Sequence, residues 1–119
     1  MSVLLTGGTG YIGSHTAVTL LQSGFDVVLL DNLSNSERCV VSRIEKITSK
    51  KIYFVEGDIT DTFLLSVVLK KYKVDSVIHF AGLKSVGDSL FEPLKYYESN
   101  VGGTVSLLTA MKENDVKKL

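Results

Sequence analysis

Three glycines spaced three apart, Gly7, Gly10 and Gly13, lie in the opening stretch MSVLLTGGTGYIGSH. About 18 residues after the last of them an apolar run, VVLLD, ends on Asp31. A Gly-x-x-Gly-x-x-Gly spacing between a short apolar run and a helical pattern points to backbone chemistry: binding of a dinucleotide pyrophosphate. Gly7 lets the chain turn sharply, Gly10 lets main chain approach the phosphates, and Gly13 lets the helix lie close to the sheet. No charged side chain precedes Asp26, so an anion here must be held by main-chain donors. The N–H groups of Tyr11 and Ile12, at a helix start carrying about half a positive charge, are suited to that. Asp31 stands where a ribose is read, and its carboxylate accepts from ribose hydroxyls while repelling a further phosphate, which favours NAD over NADP. Arg38 is the group that works against this preference; its other reading is a solvated arginine at a helix start. Asn32, Ser34, Asn35 and Ser36 offer further hydrogen-bonding groups around the adenosine, and the same residues suit a capping loop.

Two further segments place polar or small residues at the ends of apolar runs. In EGDIT, Asp58 suits either acceptance from an adenine amino group or a helix cap, and Ile59 suits packing near the base. In HFAGLKSVGDS, Ala81 and Gly82 are small enough for a cofactor to lie against backbone, and Lys84 brings a cation to the cleft, unless it is only solvated. His79 reads as a packed strand-end residue and His15 as a residue of the first helix, neither with a catalytic partner.

The elements that must position these groups can be read from periodicity. Apolar runs at Val3 to Leu5, Val27 to Leu30, Ile52 to Val55 and Ser76 to Phe80 have the composition of buried parallel strands. Helical patterns cover residues 12–22, 37–47 and 61–71, and a fourth runs from about Tyr96 to Glu113. In the third, Leu64, Val67 and Val68 are expected on one face with Lys71 at its margin, and Thr60 or Asp61 as N-cap. Four strand–helix alternations predict an α/β domain with a Rossmann-like, doubly wound parallel sheet in the order 3-2-1-4.

Composition excludes several classes. Thirteen Lys and Arg balance thirteen Asp and Glu among 119 residues, so no broad basic footprint for nucleic acid exists. The single cysteine, Cys39, cannot form an internal disulfide, and no Cys/His cluster has metal-ligand spacing. The opening segment lacks the basic start of a secretory leader, and no apolar run reaches the roughly 18 residues of a membrane span. One soluble domain in a reducing, cytoplasmic setting is the expectation, with no metal, membrane or nucleic-acid partner.

TGGTGYIGSHT, DNLSNS, EGDI, HFAGLKSVGDS and YYESNVGGT, in this order, resemble the amino-terminal part of the UDP-glucose 4-epimerase family of extended short-chain dehydrogenase/reductases. FAGLK followed by a Val-Gly step resembles these epimerases more than the related sugar-nucleotide dehydratases. The resemblance implies that Tyr11 and Ile12 contact the NAD pyrophosphate and that Asp31, Asn32 and Asn35 hold adenosine, with Leu33 in the same cofactor-contacting stretch. It further implies that Asp58 and Ile59 flank adenine and that Phe80, Ala81, Gly82, Leu83 and Lys84 line the cofactor, Lys84 also approaching the sugar nucleotide. Ser99 stands where the family commonly carries the first of two asparagines, and Ser85 and Asp88 are mild variants of the family's small and acidic residues.

The family's catalytic base belongs to a Tyr-x-x-x-Lys motif, and none of Tyr11, Tyr53, Tyr72, Tyr96 or Tyr97 has lysine four positions later. The expectation is therefore that residues 1–119 are the amino-terminal part of an NAD-binding domain, inactive alone, with catalytic and substrate-binding parts beyond Leu119. Val116 to Leu119 are expected to begin a fifth strand, leaving strand four with an unpaired edge. The complete enzyme would interconvert UDP-glucose and UDP-galactose through a 4-keto intermediate, as a homodimer. The alternatives are another extended reductase acting on a sugar nucleotide, or a non-catalytic NAD-binding module.

Overall fold

The computed structural model describes residues 1–34 and 36–119; Asn35, expected beside the adenosine, lies outside the described residues. Four strands, β1 (Ser2–Thr6), β2 (Asp26–Asp31), β3 (Tyr53–Glu56) and β4 (Ser76–His79), form one parallel sheet in the order β3-β2-β1-β4. The expected order 3-2-1-4 is the observed one. Helices α1 (Tyr11–Gln22), α2 (Cys39–Thr48) and α3 (Thr62–Lys71) make the crossovers.

Strand pleating divides the core. Val3, Leu5, Val27 and Leu29 face α1 and α2 through Ala17, Leu21 and Ile44. The alternate residues Leu4, Val28, Leu30 and Val77 face a second layer containing Leu65, Val68 and Leu69 of α3. Both faces of β1 are therefore covered, and all five of its residues are buried, which is why its sequence is a continuous apolar run rather than an alternation.

Two expectations are corrected, and one is decided between its two alternatives. The buried face of α3 is Leu65, Val68 and Leu69, with Leu64 half-buried and Val67 exposed. Six apolar residues within 63–69 draw more than one helical stripe, and packing chose the one rotated by a residue. Asp61 is the cap, accepting from Leu64 N–H at 3.0 Å, and Thr60 instead bonds to Asp58. The fourth helical stretch is compound. A short helix α4 (Val86–Phe91) precedes α5 (Pro93–Tyr96), which runs through a π-helical turn (Tyr97–Gly102) into α6 (Gly103–Glu113). Pro93, at the first helical position, starts α5 three residues ahead of expectation. Beyond α6, Val116 is buried and Lys118 makes one parallel bridge to Ser76, with Val77 N–H donating to Lys118 O at 2.9 Å.

Candidate nucleotide-binding site

The carboxyl ends of all four strands open on one side of the sheet, and the loops leaving them enclose a cleft of about 440 Å³. β1 is the switch point: β2 lies on one side of it and β4 on the other, so the loops leaving β1 and β4 diverge and open a crevice. The glycine loop forms its floor. Gly7 has φ +67°, and a Cβ there would stand 2.7 Å from Ala81 N, so both the turn and the close approach of the β4 exit demand glycine. Gly13 is buried, and its Cβ would meet Gly7 O at 2.5 Å. The contact it permits is with the loop's own backbone rather than with the sheet. Gly10 caps α1 and faces the cleft, where a Cβ would meet only Gly7 O at 3.3 Å.

The start of α1 carries the donors. Gly10 N–H bonds Gly7 O and Ser14 N–H bonds Gly10 O, while the N–H groups of Tyr11 and Ile12 have no acceptor among the described residues. A helix N-terminus with donors aimed at solvent favours an anion. The Tyr11 ring is exposed and lines the cleft, lying 4.5 Å from the His15 ring, whose Nδ1 donates back to Tyr11 O at 2.7 Å. Ile12 is exposed and its side chain is not part of the cleft wall.

Asp31 lines the same cleft, held by two main-chain donors. Its Oδ2 accepts from Thr9 N–H at 3.2 Å and its Oδ1 from Leu33 N–H at 2.9 Å. Leu33 takes φ +60° to make that turn and is half-buried outside the wall. Asn32, Ser34 and Ser36 line the cleft beside Asp31. Arg38 is exposed at the start of α2, with its guanidinium 5.4 Å from the centre of the Phe54 ring.

The far wall comes from β3 and β4. Ile59 is buried, filling space that a Cβ on Gly103 would invade at 2.5 Å, and shows only an edge to the cleft. Asp58 opens on an adjoining cleft of about 390 Å³. Its Oδ1 accepts from Thr60 N–H at 2.9 Å and Thr60 O–H at 2.7 Å, and these bonds hold its carboxyl below the usual value. Phe80, Ala81, Gly82, Leu83 and Lys84 all line the main cleft, as does half-buried Ser99 from the π-helical turn. Lys84 is exposed and its Nζ donates to Phe80 O at 2.9 Å.

Several positioning groups act through main chain, so their types alone did not mark them. Asn100 accepts from Leu83 N–H at 2.7 Å and donates to Leu83 O at 2.8 Å, fixing the segment that bears Lys84. The Tyr96 hydroxyl accepts from Ser85 N–H at 3.1 Å. Thr9 is buried under the loop that its N–H and hydroxyl hold.

Parallel sheet, switch point and glycine loop together define a Rossmann-type nucleotide-binding domain. The family described as GDP-mannose 4,6 dehydratase matches residues 4–119, and the chain belongs to that family. Its relatives include UDP-glucose 4-epimerases. That of Neisseria gonorrhoeae is 52% identical over 119 residues, covering 100% of this chain and 35% of the relative. That of Klebsiella pneumoniae is 51% identical over 117 residues, covering 98% of this chain and 84% of the relative. The crystal structure of the UDP-glucose 4-epimerase from Stenotrophomonas maltophila, with bound NAD and formylated UDP-arabinopyranose, superposes with a TM-score of 0.96 at 47% identity, covering 98% of this chain and 35% of that one. The chain thus spans about a third of the length of most of these relatives.

Proposed function

We propose that this chain is the NAD-holding part of a UDP-glucose 4-epimerase. The observation that carries the reading is one cleft bounded by both the start of α1, where the Tyr11 N–H has no acceptor among the described residues, and the carboxylate at the end of β2. The donor set fits NAD: main-chain N–H for the pyrophosphate, a carboxylate for the ribose diol, and small residues opposite for close approach. When bound, NAD supplies a hydride acceptor and donor at its nicotinamide. The chain's own residues bind and orient. Tyr11 and Ile12 N–H groups take the pyrophosphate, and Asp31, with Asn32 and Asn35, takes the adenosine. Asp58 and Ile59 flank adenine. Phe80 to Leu83 and Ser99 keep water from one side of the cofactor, and the Lys84 charge draws the phosphates of a UDP-hexose toward the cleft mouth. The proton at the sugar hydroxyl is handled outside residues 1–119, by a Tyr-x-x-x-Lys base in the remainder of the polypeptide. Residues 1–119 alone are inactive on this reading.

A second copy of the protein is the proposed macromolecular partner. Leu94, Tyr97, Val101, Val105 and Leu108 are all exposed at intervals of three and four along α5 to α6, a stripe of the kind that oligomers cover. Among the described residues no helix is long and apolar enough to cross a membrane, and an exposed single cysteine suits the reducing cytoplasm proposed as its setting.

The test is calorimetric titration of the intact protein with NAD and NADP, alongside a UDP-galactose epimerisation assay. Asp31→Ala should weaken NAD roughly tenfold or more, given two lost ribose hydrogen bonds, and narrow the preference over NADP. Equal NAD affinity in both proteins would remove Asp31 from the site. NAD binding without epimerisation by the intact protein would favour another sugar-nucleotide reductase, and epimerisation by residues 1–119 alone would overturn the placement of the base.

A further inference from the structure

Thr9, the middle residue of the glycine loop, is 3% exposed, and it bonds twice to the segment leaving β2. Its N–H donates to Asp31 Oδ2 at 3.2 Å, and its Oγ1 lies 2.5 Å from Ser36 Oγ. Asp31 in turn accepts from Leu33 N–H at 2.9 Å, and Asn32 Oδ1 from Ser34 N–H at 3.0 Å. Thr9 therefore ties Asp31 to the phosphate-facing loop through its main chain and Ser36 through its side chain. A buried valine would fill the same volume and leave both loops without that hydroxyl tie, so burial alone does not account for threonine.

We infer that Thr9 is a positioning residue that clasps Asp31 and Ser36 against the glycine loop, so that the ribose and pyrophosphate ends of the cofactor are recognised as one rigid site that leaves no room for a 2′-phosphate. The inference rests on the dinucleotide reading above. Its physical content is preorganisation: the loop that carries Asp31 is held in place before nucleotide arrives, and the ordering cost on binding falls accordingly. With the hydroxyl removed, Ser36 can retreat from the glycine loop and open space beside Asp31.

The experiment compares the intact wild-type protein with Thr9→Val, Thr9→Ser and Ser36→Ala. Amide hydrogen exchange without nucleotide should show faster exchange at Leu33, Ser34 and Ser36 in Thr9→Val and Ser36→Ala, and wild-type rates in Thr9→Ser. Titration should show NAD binding roughly tenfold weaker in Thr9→Val with NADP binding little changed, so that their ratio narrows. Thr9→Ser should restore both. The Thr9→Val/Ser36→Ala double variant should lose no more than either single one, because both remove the same bond. Wild-type exchange rates and an unchanged NAD to NADP ratio in Thr9→Val and Ser36→Ala would overturn the clasp. If the wild-type protein binds no NAD, the dinucleotide reading falls instead, and the exchange measurement still decides whether the clasp exists. Circular dichroism checks folding, and Ser36→Ala, made at a half-buried position, interrogates the bond without disturbing the buried side.

Discussion

His79 is held by hydroxyl groups on both sides, and their own partners decide its protonation. Thr104 O–H donates to Asn100 O at 2.7 Å, so its oxygen, 3.3 Å from Nε2, accepts the ring proton there. Thr6 Oγ1 accepts from Ala81 N–H at 3.4 Å, leaving its proton for Nδ1 at 2.6 Å. The neutral ring satisfies every group. Burial, and then the Lys84 charge, lower its pKa from 6.5. The unfolded chain therefore takes up the proton first as pH falls, and the stability from neutral His79 is complete above 6.5 and lost as pH falls through the lowered value. Thermal unfolding of the intact protein should show a midpoint that drops between about pH 7 and about pH 5, and His79→Gln should flatten that drop. Equal slopes would refute the assignment. Asp58 is depressed in the same sense, but its contribution is lost only below its ordinary 3.8, so the windows do not overlap. At this scale the sequence was legible where spacing brings groups to one cleft, as with Gly7, Gly10 and Asp31. It was opaque where a residue acts on a partner distant in sequence: nothing around Asn100 announces the Leu83 main chain, nor anything around Thr9 its hold on the Ser36 hydroxyl.

The compound helix after β4 shows what periodicity could and could not convey about elements. A continuous pattern from Tyr96 is what the apolar spacing suggests, yet the π-helical turn at Tyr97–Gly102 inserts extra length, and Thr104 O–H takes up the Asn100 carbonyl within it. Such a widening rotates α5 about the helix axis relative to α6, so Ser99 reaches the cleft while Leu107, Ala110 and Met111 still face the core. Short strands fared better, since a buried parallel strand needs only a few β-branched or aliphatic residues bounded by turn formers. The opposite side of the compound helix carries the exposed stripe, and its prediction belongs to the element. Val105→Glu places a charge within that stripe, on a position already 58% exposed, so the fold is preserved. On the proposal that copies of the protein meet at this stripe, light scattering should show the intact variant at monomer mass. Unchanged mass would show that the stripe is not where copies meet.

Across the whole molecule, the strand order was readable because repeated strand–helix alternation and right-handed crossovers leave few topologies. The central place of β1 in that order also bears on the order of events in folding. β1 joins β2 through pairs such as Ser2 with Asp26, and β4 through pairs such as Val3 with Ser76, across most of the chain's length. Gly7 N–H ends on Leu30 O at 2.8 Å, and Phe80 N–H on Thr6 O at 2.9 Å. The glycine loop thus has its shape only after segments far apart in sequence have met, and such closures are slow. In pulse-labelled refolding, the amides of Gly7 and Phe80 should gain protection together in the final phase; early protection of Gly7 would contradict this. Binding of nucleotide then becomes a certificate of assembly: no partly folded chain presents the loop, so the ligand selects finished molecules, and its presence in a cell would shelter them without speeding their making.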